Sequence, residues 1–545
     1  MGKFMGNRNL SSLLIIAVWL SVPLSGCDGE MQGALDAVTV SNGPIHLKDS
    51  ARFGFIGLVR TRSAREIRNA GFNHPFGIGA ETTDRDYSSF DNWKDHLGPT
   101  GAMKVRLQSG WNDIEKVITD PPTYDFSKLD VLIDGALARG VQPFVFLGYG
   151  NERNGCVDCG TKNLGGALPI GAGQGRFLKF VKATVNRYKT RVSDWEIWNE
   201  PDGHVQAEEY SKLLVKAARE IKAVQSSAKI TIGSFTAGVM GGANTASSIF
   251  AKTSVDYFAA NKGSTVPDND VAVGYHPYYG AVDHDNFPGE FAKYKWFKSM
   301  VEAHGFRIRQ TENGAPSKVC KSFALCGPKM AWTEEDQAKY LLRRLLGDFY
   351  RGVESSIFTL VDLHYDFTKN DKGLLQTGTW DSSADSQFLN GDQTVKRKKV
   401  GYRAFQHVTA IFDNRLTPIH NAGCTVKISG VTSSDYTVQA YTRKDGNGAV
   451  RNLIAAWRKV DPLPKVTVEA SVDISCDNFH FPLFASNNAL RPRLVDMVDG
   501  RIYSLERSDT ITVNNSAKHK VEIKNLSLPD YPVLLADQGL VHIAP

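Results

Sequence analysis

The stretch Asp194-Trp195-Glu196-Ile197-Trp198-Asn199-Glu200-Pro201 decides how the rest of the chain is interpreted. It begins like a buried strand and stops at Pro201, because proline cannot continue a central strand. Asn199 and Glu200 are therefore placed where the strand ends. An amide and a carboxylate flanked by tryptophan contribute little to stability at such a position, so we expect them to serve function.

Short apolar runs alternate with amphipathic helical patterns from about residue 70 onwards. The clearest helix starts at Thr333, which can cap it, with Asp336 three residues on. Repeated strand–helix alternation predicts an α/β fold of the (β/α)8 barrel type. A doubly wound open sheet is the alternative, but we find no glycine-rich phosphate fingerprint to support it. The eight candidate strands are 76–79, 103–107, 143–147, 194–198, 230–233, 271–275, 306–310 and 356–361.

The pattern changes after the last predicted helix, Val400 to Phe412. Strand-like runs then alternate with turn signals, and Asp499-Gly500 between two such runs predicts a hairpin. No helical pattern interrupts this region, which predicts an all-β sandwich. We therefore expect a catalytic barrel over residues 51–413 and a β-sandwich accessory domain over residues 414–545.

The N-terminus has the features of a targeting segment. Lys3 and Arg8 precede the apolar run 13–20, which is too short to span a bilayer comfortably. Leu24-Ser25-Gly26-Cys27 then resembles a bacterial lipoprotein signal, in which the cysteine is lipidated. We expect a signal peptide over residues 1–26, a tether over 27–50 and a lipid anchor at Cys27. An ordinary secretory signal with a chance cysteine is the alternative.

The anchor predicts a protein of the bacterial cell envelope, on the periplasmic or outer surface. A length of 545 residues allows two or three domains. The formal charge of +6 is small for this length, and no Lys/Arg run is long enough to indicate nucleic-acid binding.

The cysteines predict disulfide bonds. The chain has seven, and without Cys27 an even number remains, which suits an oxidising compartment. A zinc site from the first four is the alternative, because Cys-x-x-Cys is a metal spacing, but the wider second pair fits it less well. The expected pairs, with exchange between the first two possible, are Cys156–Cys159, Cys320–Cys326 and Cys424–Cys476.

Two carboxylates at the mouth of the predicted barrel indicate the chemistry. Strand four ends at Glu200, and strand seven ends at Glu312. The active site of such a barrel lies at the carboxyl ends of its strands, so these groups can face each other across a pocket. Cleavage of a glycosidic bond needs such a pair, one to protonate the leaving oxygen and one to attack or to activate water. A salt bridge at the rim is the alternative for either residue alone.

Four further residues are candidates for binding substrate. His276 and Tyr278 follow strand six, where they can bind a sugar hydroxyl or hold a carboxylate. Arg106 on strand two can keep a neighbouring carboxylate ionised, or it can form a structural ion pair inside the barrel. Trp111 lies in a predicted mouth loop, where its ring could stack on a sugar. This chemistry requires no cofactor or metal, and none is predicted.

These motifs resemble glycoside hydrolase clan A, the retaining (β/α)8 glycosidases. The match runs through Arg106, Trp198-Asn199-Glu200-Pro201, His276-x-Tyr278 and Glu312. Within the clan the chain looks most like family 39 and its relatives, with families 5 and 30 as near alternatives. Residues 111–115 and the closing stretch 530–535 support family 39.

The resemblance implies a role for each matched residue. Glu200 would be the acid/base and Glu312 the nucleophile of a retaining enzyme that cleaves β-glycosidic bonds in oligo- or polysaccharides. Asn199 would bind the sugar 2-hydroxyl. Many clan members have a tryptophan at the end of strand eight, where this chain has 360–364, so the floor of the sugar site would differ.

Double displacement sets two physical expectations. Glu200 must be protonated while Glu312 is charged. The two carboxyl groups should lie ~5–5.5 Å apart. The alternative function is a glycan-binding envelope lipoprotein that does not cleave its ligand, although a pure binder has no need for both carboxylates.

Overall fold

The computed structural model describes most of the chain after residue 52. Cys27, Cys320, Cys326 and the whole N-terminal signal and tether lie outside the described residues. Within the described part, no helix is both long enough and apolar enough to cross a membrane. The described ranges are 53–80, 87–153, 155–156, 158–160, 167–278, 288–319, 331–365, 368–378, 392–459, 470–482, 492–505, 511–517 and 520–545.

Eight parallel strands close into a barrel, which confirms the predicted fold. Each strand pairs with the next, and the last pairs with the first. Each of the eight predicted runs overlaps one of these strands, because apolar runs of this length bury both faces in a parallel sheet. They are β2 (Phe76–Ala80), β3 (Lys104–Gln108), β4 (Gln142–Leu147), β5 (Asp194–Ile197), β6 (Lys229–Phe235), β7 (Val271–Tyr275), β8 (Arg307–Asn313) and β9 (Glu354–Ile357).

Helices follow the barrel strands and cover them. The helix predicted after Thr333 has the expected capping box, in which Thr333 and Asp336 each accept the other's backbone N–H. The described helices are α1 (Ala64–Asn69), α2 (Phe90–Leu97), α3 (Trp111–Ile114), α4 (Ser127–Ala138), α5 (Gly171–Tyr188), α6 (Ala207–Val224), α7 (Ala246–Asn261), α8 (Pro288–Glu302), α9 (Glu334–Tyr350) and α10 (Val400–Ile411).

Two small hairpins lie between β9 and α10 at the end of the barrel. The first pairs β10 (Leu363–Tyr365) with β11 (Thr368–Asn370), and the second pairs β12 (Leu375–Thr377) with β13 (Val395–Lys398).

The C-terminal region is entirely β in its described part and forms two antiparallel sheets, as the sandwich prediction requires. The hairpin predicted at Asp499-Gly500 joins two neighbouring strands. The strands are β14 (Thr417–Pro418), β15 (Cys424–Ile428), β16 (Val431–Thr432), β17 (Tyr436–Lys444), β18 (Val450–Arg458), β19 (Ala470–Cys476), β20 (Arg493–Asp496), β21 (Arg501–Ser504), β22 (Thr512–Ala517), β23 (Lys520–Leu528) and β24 (Val533–Ala536).

One strand from the start of the chain joins this region. β1 (Gly54–Leu58) pairs antiparallel with β21, so residues placed by the sequence in the barrel region belong to the larger sheet. That sheet has seven strands in the order β1-β21-β20-β24-β18-β17-β14, and the smaller has five in the order β16-β15-β19-β23-β22. The described part of the chain therefore begins and ends beside the larger sheet.

The described cysteines form two of the three predicted disulfides. Cys156 is bonded to Cys159, and Cys424 is bonded to Cys476. The second pair lies directly opposite across β15 and β19, so the bond fixes the register of the smaller sheet. Because Cys156 and Cys159 are bonded to each other, the alternative of a zinc site loses two of its ligands.

Candidate active site

A left-handed turn brings Glu200 to the mouth of the barrel. β5 ends at Ile197, and both Trp198 and Glu200 then adopt positive φ angles, of 66° and 45°. The backbone N–H of Glu200 donates to the carbonyl of Ser234 at 3.0 Å, which holds the turn against β6. Positive φ is rare for residues other than glycine and is concentrated at functional sites.

Glu200 and Glu312 face each other across the pocket. Glu312 lies on β8 and its side chain is 11% exposed, whereas the Glu200 side chain is 28% exposed. One oxygen of each carboxylate lies within 4.8 Å of the other and of a ring nitrogen of His276. The predicted pair is therefore assembled, with Glu200 nearer to solvent and Glu312 deeper in the barrel.

His276 bridges the two carboxylates from the end of β7. Its Nδ1 lies 2.8 Å from Oε1 of Glu200 and 2.9 Å from Oε2 of Glu312. Burial lowers the pKa of the imidazole, but the charge of Glu312 and the contact with Glu200 outweigh it and raise that pKa to about 9. Burial likewise raises the pKa of Glu312, but the His276 cation and the guanidinium of Arg106 lower it to about 2.

Arg106 serves both of the functions considered for it. Its guanidinium binds Glu196 through two hydrogen bonds of 2.7 and 2.9 Å, a buried ion pair inside the barrel. The third nitrogen of the guanidinium lies 3.6 Å from Oε1 of Glu312, so the same cation also stands beside this carboxylate. Arg106 further donates to Oδ1 of Asn199 at 2.6 Å and so fixes the orientation of that amide.

Tyr278 follows β7 at the carboxyl end of the barrel and is half-buried. Its ring meets the ring of Phe358 edge to face at 6.3 Å between centroids. β9, the eighth strand of the barrel, ends at Ile357, so Phe358 is the residue that directly follows it. The sequence had predicted the end of this strand at 360–364. An aromatic side chain therefore does occupy the place where the clan resemblance predicts a tryptophan.

Lys372 is a pocket residue that the sequence interpretation missed. It lies between β11 and β12, is 7% exposed, and places its ammonium 4.7 Å from the Tyr278 ring centroid. Burial lowers the pKa of this lysine to about 8, while the nearby charges of Glu312 and Glu200 act in the opposite direction. No motif surrounds this lysine in the sequence, so no local signal could have identified it.

The prediction that Trp111 stacks on a sugar is wrong. Its ring has no exposed surface, because it packs between Phe177 and Phe180 of α5. Its indole N–H donates to Glu115 at 2.7 Å. Trp198 is also fully buried. Apolar bulk, which made Trp111 a candidate for stacking, equally suits the core.

The atom types at the site would allow a metal ion, but the charges disfavour one. Glu200, His276 and Glu312 offer two oxygens and a nitrogen in close proximity. The raised pKa of His276 keeps that nitrogen protonated at neutral pH, and Arg106 adds a second positive charge. A cation would have to displace a proton and overcome this repulsion.

Several solved structures of glycoside hydrolases are similar to this chain in architecture. A family 39 glycoside hydrolase from the gut symbiont Bacteroides cellulosilyticus WH2 is 17% identical, with a TM-score of 0.55 over 85% of this chain and 81% of that one. The GH39 enzyme from Xanthomonas axonopodis pv. citri is 15% identical, with a TM-score of 0.50 over 88% and 95% of the two chains.

A family 30 subfamily 8 xylanase from Clostridium acetobutylicum is 13% identical, with a TM-score of 0.50 over 88% of this chain and 97% of that one. The chain has the fold of these glycoside hydrolases. This agrees with the resemblance to clan A at the level of the fold. No protein-family profile and no curated protein sequence matches the chain.

Proposed function

We propose that the chain is a retaining glycoside hydrolase that cleaves β-glycosidic bonds in oligo- or polysaccharides. The observation that carries the proposal is the pair Glu200 and Glu312, whose nearest oxygens lie within 4.8 Å of each other. Retaining enzymes hold their carboxyl groups ~5–5.5 Å apart, whereas inverting enzymes need ~6.5–9.5 Å to admit a water molecule. The fold shared with known glycoside hydrolases supports the same reaction class.

The first step is glycosylation of Glu312. The carboxylate of Glu312 attacks the anomeric carbon, the glycosidic C–O bond breaks, and Glu200 gives its proton to the leaving oxygen. The pKa of about 2 for Glu312 supports this assignment, because a nucleophile must be ionised at working pH. In the second step Glu200 takes a proton from water, the oxygen of which attacks the same carbon and releases Glu312.

The neighbouring residues orient the two carboxylates and the sugar. Because Arg106 occupies Oδ1 of Asn199, the NH2 group of this amide is the part that can donate to the sugar 2-hydroxyl. The His276 cation lies against both carboxylates and compensates their charge. Tyr278, which is half-buried and packs edge to face on buried Phe358, supplies an aromatic ring that suits a sugar face.

The stereochemistry of the product tests the mechanism. With an aryl glycoside that the enzyme accepts, we expect proton NMR to detect first the product that keeps the anomeric configuration of the substrate. First formation of the opposite anomer would refute the retaining mechanism. Binding of glycans without any product over a broad panel would instead favour a non-catalytic glycan-binding protein.

Variants of the two carboxylates test their roles separately. We expect Glu200→Ala to lower the turnover of a glycoside with a poor leaving group by about 10²–10⁴-fold, and Glu312→Ala to abolish it. Azide added to the first variant should give a glycosyl azide of retained configuration, and added to the second one of inverted configuration. Exchanged outcomes would reverse the assignments. Glu208→Gln, which changes an exposed glutamate of α6, should behave as wild type.

The anchor remains a proposal from the sequence. We propose that Cys27 carries a lipid that holds the enzyme on the bacterial cell envelope, supported by the stretch 13–27. Expression in a bacterial host with an alkyne fatty acid should label the wild type and leave Cys27→Ser unlabelled. Equal labelling of both would refute this site.

A further inference from the structure

A ring of buried hydrogen bonds lies beneath the two carboxylates. Nε2 of His276 lies 3.0 Å from Oγ1 of Thr311, which lies 3.1 Å from Oγ of Ser234. Ser234 in turn donates to Oε1 of Glu196, which Arg106 binds through both of its oxygens. Arg106 and His276 both contact Glu312, so the ring closes there. The proposed reaction uses Glu200 and Glu312 but assigns nothing to the hydroxyls.

The direction of these hydrogen bonds is fixed from the Glu196 end. A carboxylate bound by both arms of a guanidinium can only accept, so Ser234 must donate its proton to Glu196. The oxygen of Ser234 then accepts from Thr311, because the hydroxyl of Ser234 has only one proton to give. Thr311 has thereby used its own proton, so its oxygen must accept at Nε2 of His276, which therefore carries a hydrogen.

The other ring nitrogen is fixed by the carboxylates. Nδ1 of His276 lies within 2.9 Å of oxygens from both Glu200 and Glu312. A bare nitrogen there could accept a proton from Glu200, but its lone pair would then face the oxygen of ionised Glu312. A hydrogen on Nδ1 satisfies both contacts. Both nitrogens thus carry hydrogen, and the ring is an imidazolium.

We propose that Glu196, Ser234 and Thr311 form a relay that fixes His276 as an imidazolium and so prevents it from taking the proton of Glu200. These three are positioning residues, because they act through His276 and do not touch the reacting atoms. Neutral His276 could accept the proton that Glu200 must deliver to the leaving oxygen. The relay keeps a hydrogen on Nε2, ionised Glu312 keeps the second one on Nδ1, and so neither ring nitrogen is free to take that proton. This inference rests on the proposed function of Glu200.

The local backbone is shaped to place Ser234 in the relay. The pairing of β6 with β7 is interrupted between Ile232 and Phe235, and Ser234 adopts a φ of 46°. Bulges near active sites re-aim a side chain, and positive φ in a serine is costly. Gly274 on β7 provides the space, because a Cβ there would lie 2.5 Å from Oγ of Ser234. Regular pairing would turn the hydroxyl away from Glu196.

The charges around His276 are consistent with a cationic ring. They include three carboxylates and two other cations. The ring of Tyr278 also lies beside the imidazole of His276, with 6.4 Å between centroids. The carboxylates come from β5, its following turn and β8, and the cations come from β3 and the segment between β11 and β12. The charged groups are Glu196, Glu200, Glu312, Arg106 and Lys372.

Nitrogen NMR of the full chain labelled with 15N-histidine tests the proposal without using activity. The His276 signals are assigned by their loss in His276→Gln. We expect both ring nitrogens of the wild type to be protonated at pH 7, with titration near pH 9. A bare nitrogen in the wild type at pH 7 would overturn the proposal, whatever the enzyme hydrolyses.

Variants then test the relay itself. Thr311→Val keeps the shape but cannot accept at Nε2, so the midpoint of the His276 titration should fall by about one pH unit, the equivalent of one hydrogen bond to a charged group. Thr311→Ser should restore the wild-type midpoint. Ser234→Ala should move it in the same direction as Thr311→Val, and this variant serves if the valine variant does not fold.

A matched threonine controls for burial and volume. Thr231→Val removes a buried hydroxyl of β6 that accepts from Arg309 at the other end of the barrel, and it should leave the His276 titration unchanged. An unchanged midpoint in both relay variants would overturn the proposal. In active protein, the alkaline limb of kcat should move to lower pH in Thr311→Val while KM stays constant. A protein without glycosidase activity would still give the NMR result, so the two failures are distinguishable.

Discussion

A single lysine extends the electrostatics of the pocket beyond the residues that form recognisable motifs. The ammonium of Lys372 is buried, lies against Tyr278 and lowers the pKa of Glu312 together with His276 and Arg106. Its carbonyl accepts a hydrogen bond from Gln337 of α9, which fixes the backbone of the segment. While this lysine is protonated, its charge therefore has a fixed position beside the nucleophile, unlike that of a mobile counter-ion.

Removing this charge should narrow the pH range of activity. In Lys372→Met the charged form of Glu312 loses a stabilising cation, so the pKa of Glu312 rises and the acid limb of kcat/KM moves to higher pH, by about 1 unit. Lys372→Arg should preserve the wild-type limb. Lys318→Met is the matched control, because Lys318 pairs with Asp371 in the same segment but is exposed. An acid limb that does not move would contradict this role.

The residues differ in how far the sequence could identify them. Glu200, Glu312, Arg106 and His276 each follow or lie on a barrel strand, and the fold brings the ends of such strands together. Lys372 is absent from every strand, and only the path of the chain after β9 places it in the pocket. Ser234 lies on a predicted strand, but the bulge that re-aims it depends on tertiary pairing.

At the scale of elements, local pattern predicts the strands of the barrel and long-range pairing explains what was missed. The eight apolar runs were sufficient to predict the barrel strands, because a parallel strand buried on both faces has an apolar sequence whichever strand it pairs with. β1 has no such signature. Its position in the fold is set by pairing with β21, which lies more than 400 residues further along the chain.

The hairpin of β20 and β21 also packs against the barrel. Gly500 has a φ of +76°, and a Cβ there would lie 2.4 Å from Nε2 of His407 on α10. Nδ1 of His407 lies 3.0 Å from one carbonyl oxygen of the same hairpin, that of Met497. Since a carbonyl only accepts, Nδ1 carries the hydrogen. Gly500 is therefore required for two reasons: it adopts the positive φ of the turn, and it leaves room for His407 at the contact between the two domains.

A pair of glycine variants separates these two effects. Gly500→Ala should lower the free energy of unfolding by about 1 kcal/mol for the positive φ, and by about 1–3 kcal/mol more for the clash with His407. Gly448→Ala, at a φ of +82° with open space around it, should show only the first effect. Urea denaturation of both variants measures the difference. Equal losses would mean that the hairpin can move away from α10 without cost.

At the scale of the whole molecule, the barrel and the sandwich share one buried interface. Phe349 at the end of α9, Phe412 after α10 and Tyr441 of β17 form an aromatic cluster with centroids 5.4–5.9 Å apart. Lys339 of α9 pairs with Asp530 at 3.1 Å, and both are buried. Because β1 belongs to the same sheet as β24, the sandwich holds both ends of the described chain.

The same interface should make the stability of the protein sensitive to acid. Burial lowers the pKa of His407 from 6.5, the value expected in the unfolded chain, to about 4 in the folded protein. The unfolded chain therefore takes up a proton between these pH values that the folded chain does not. The stabilising contribution is complete above pH 6.5 and is lost as the pH falls through about 4, an effect of about 3 kcal/mol.

Replacing the buried histidine should remove this dependence. His407→Gln keeps a side-chain N–H for the carbonyl of Met497 but has no group that titrates in this range. Between pH 7 and pH 4.5, we expect its urea midpoint to fall less than that of the wild type. His204→Gln, which removes an exposed histidine, should fall as the wild type does. If His407→Gln and the wild type lose the same stability on acidification, His407 does not couple the interface to pH. His74 then becomes the histidine to replace, because burial lowers its pKa to about 3.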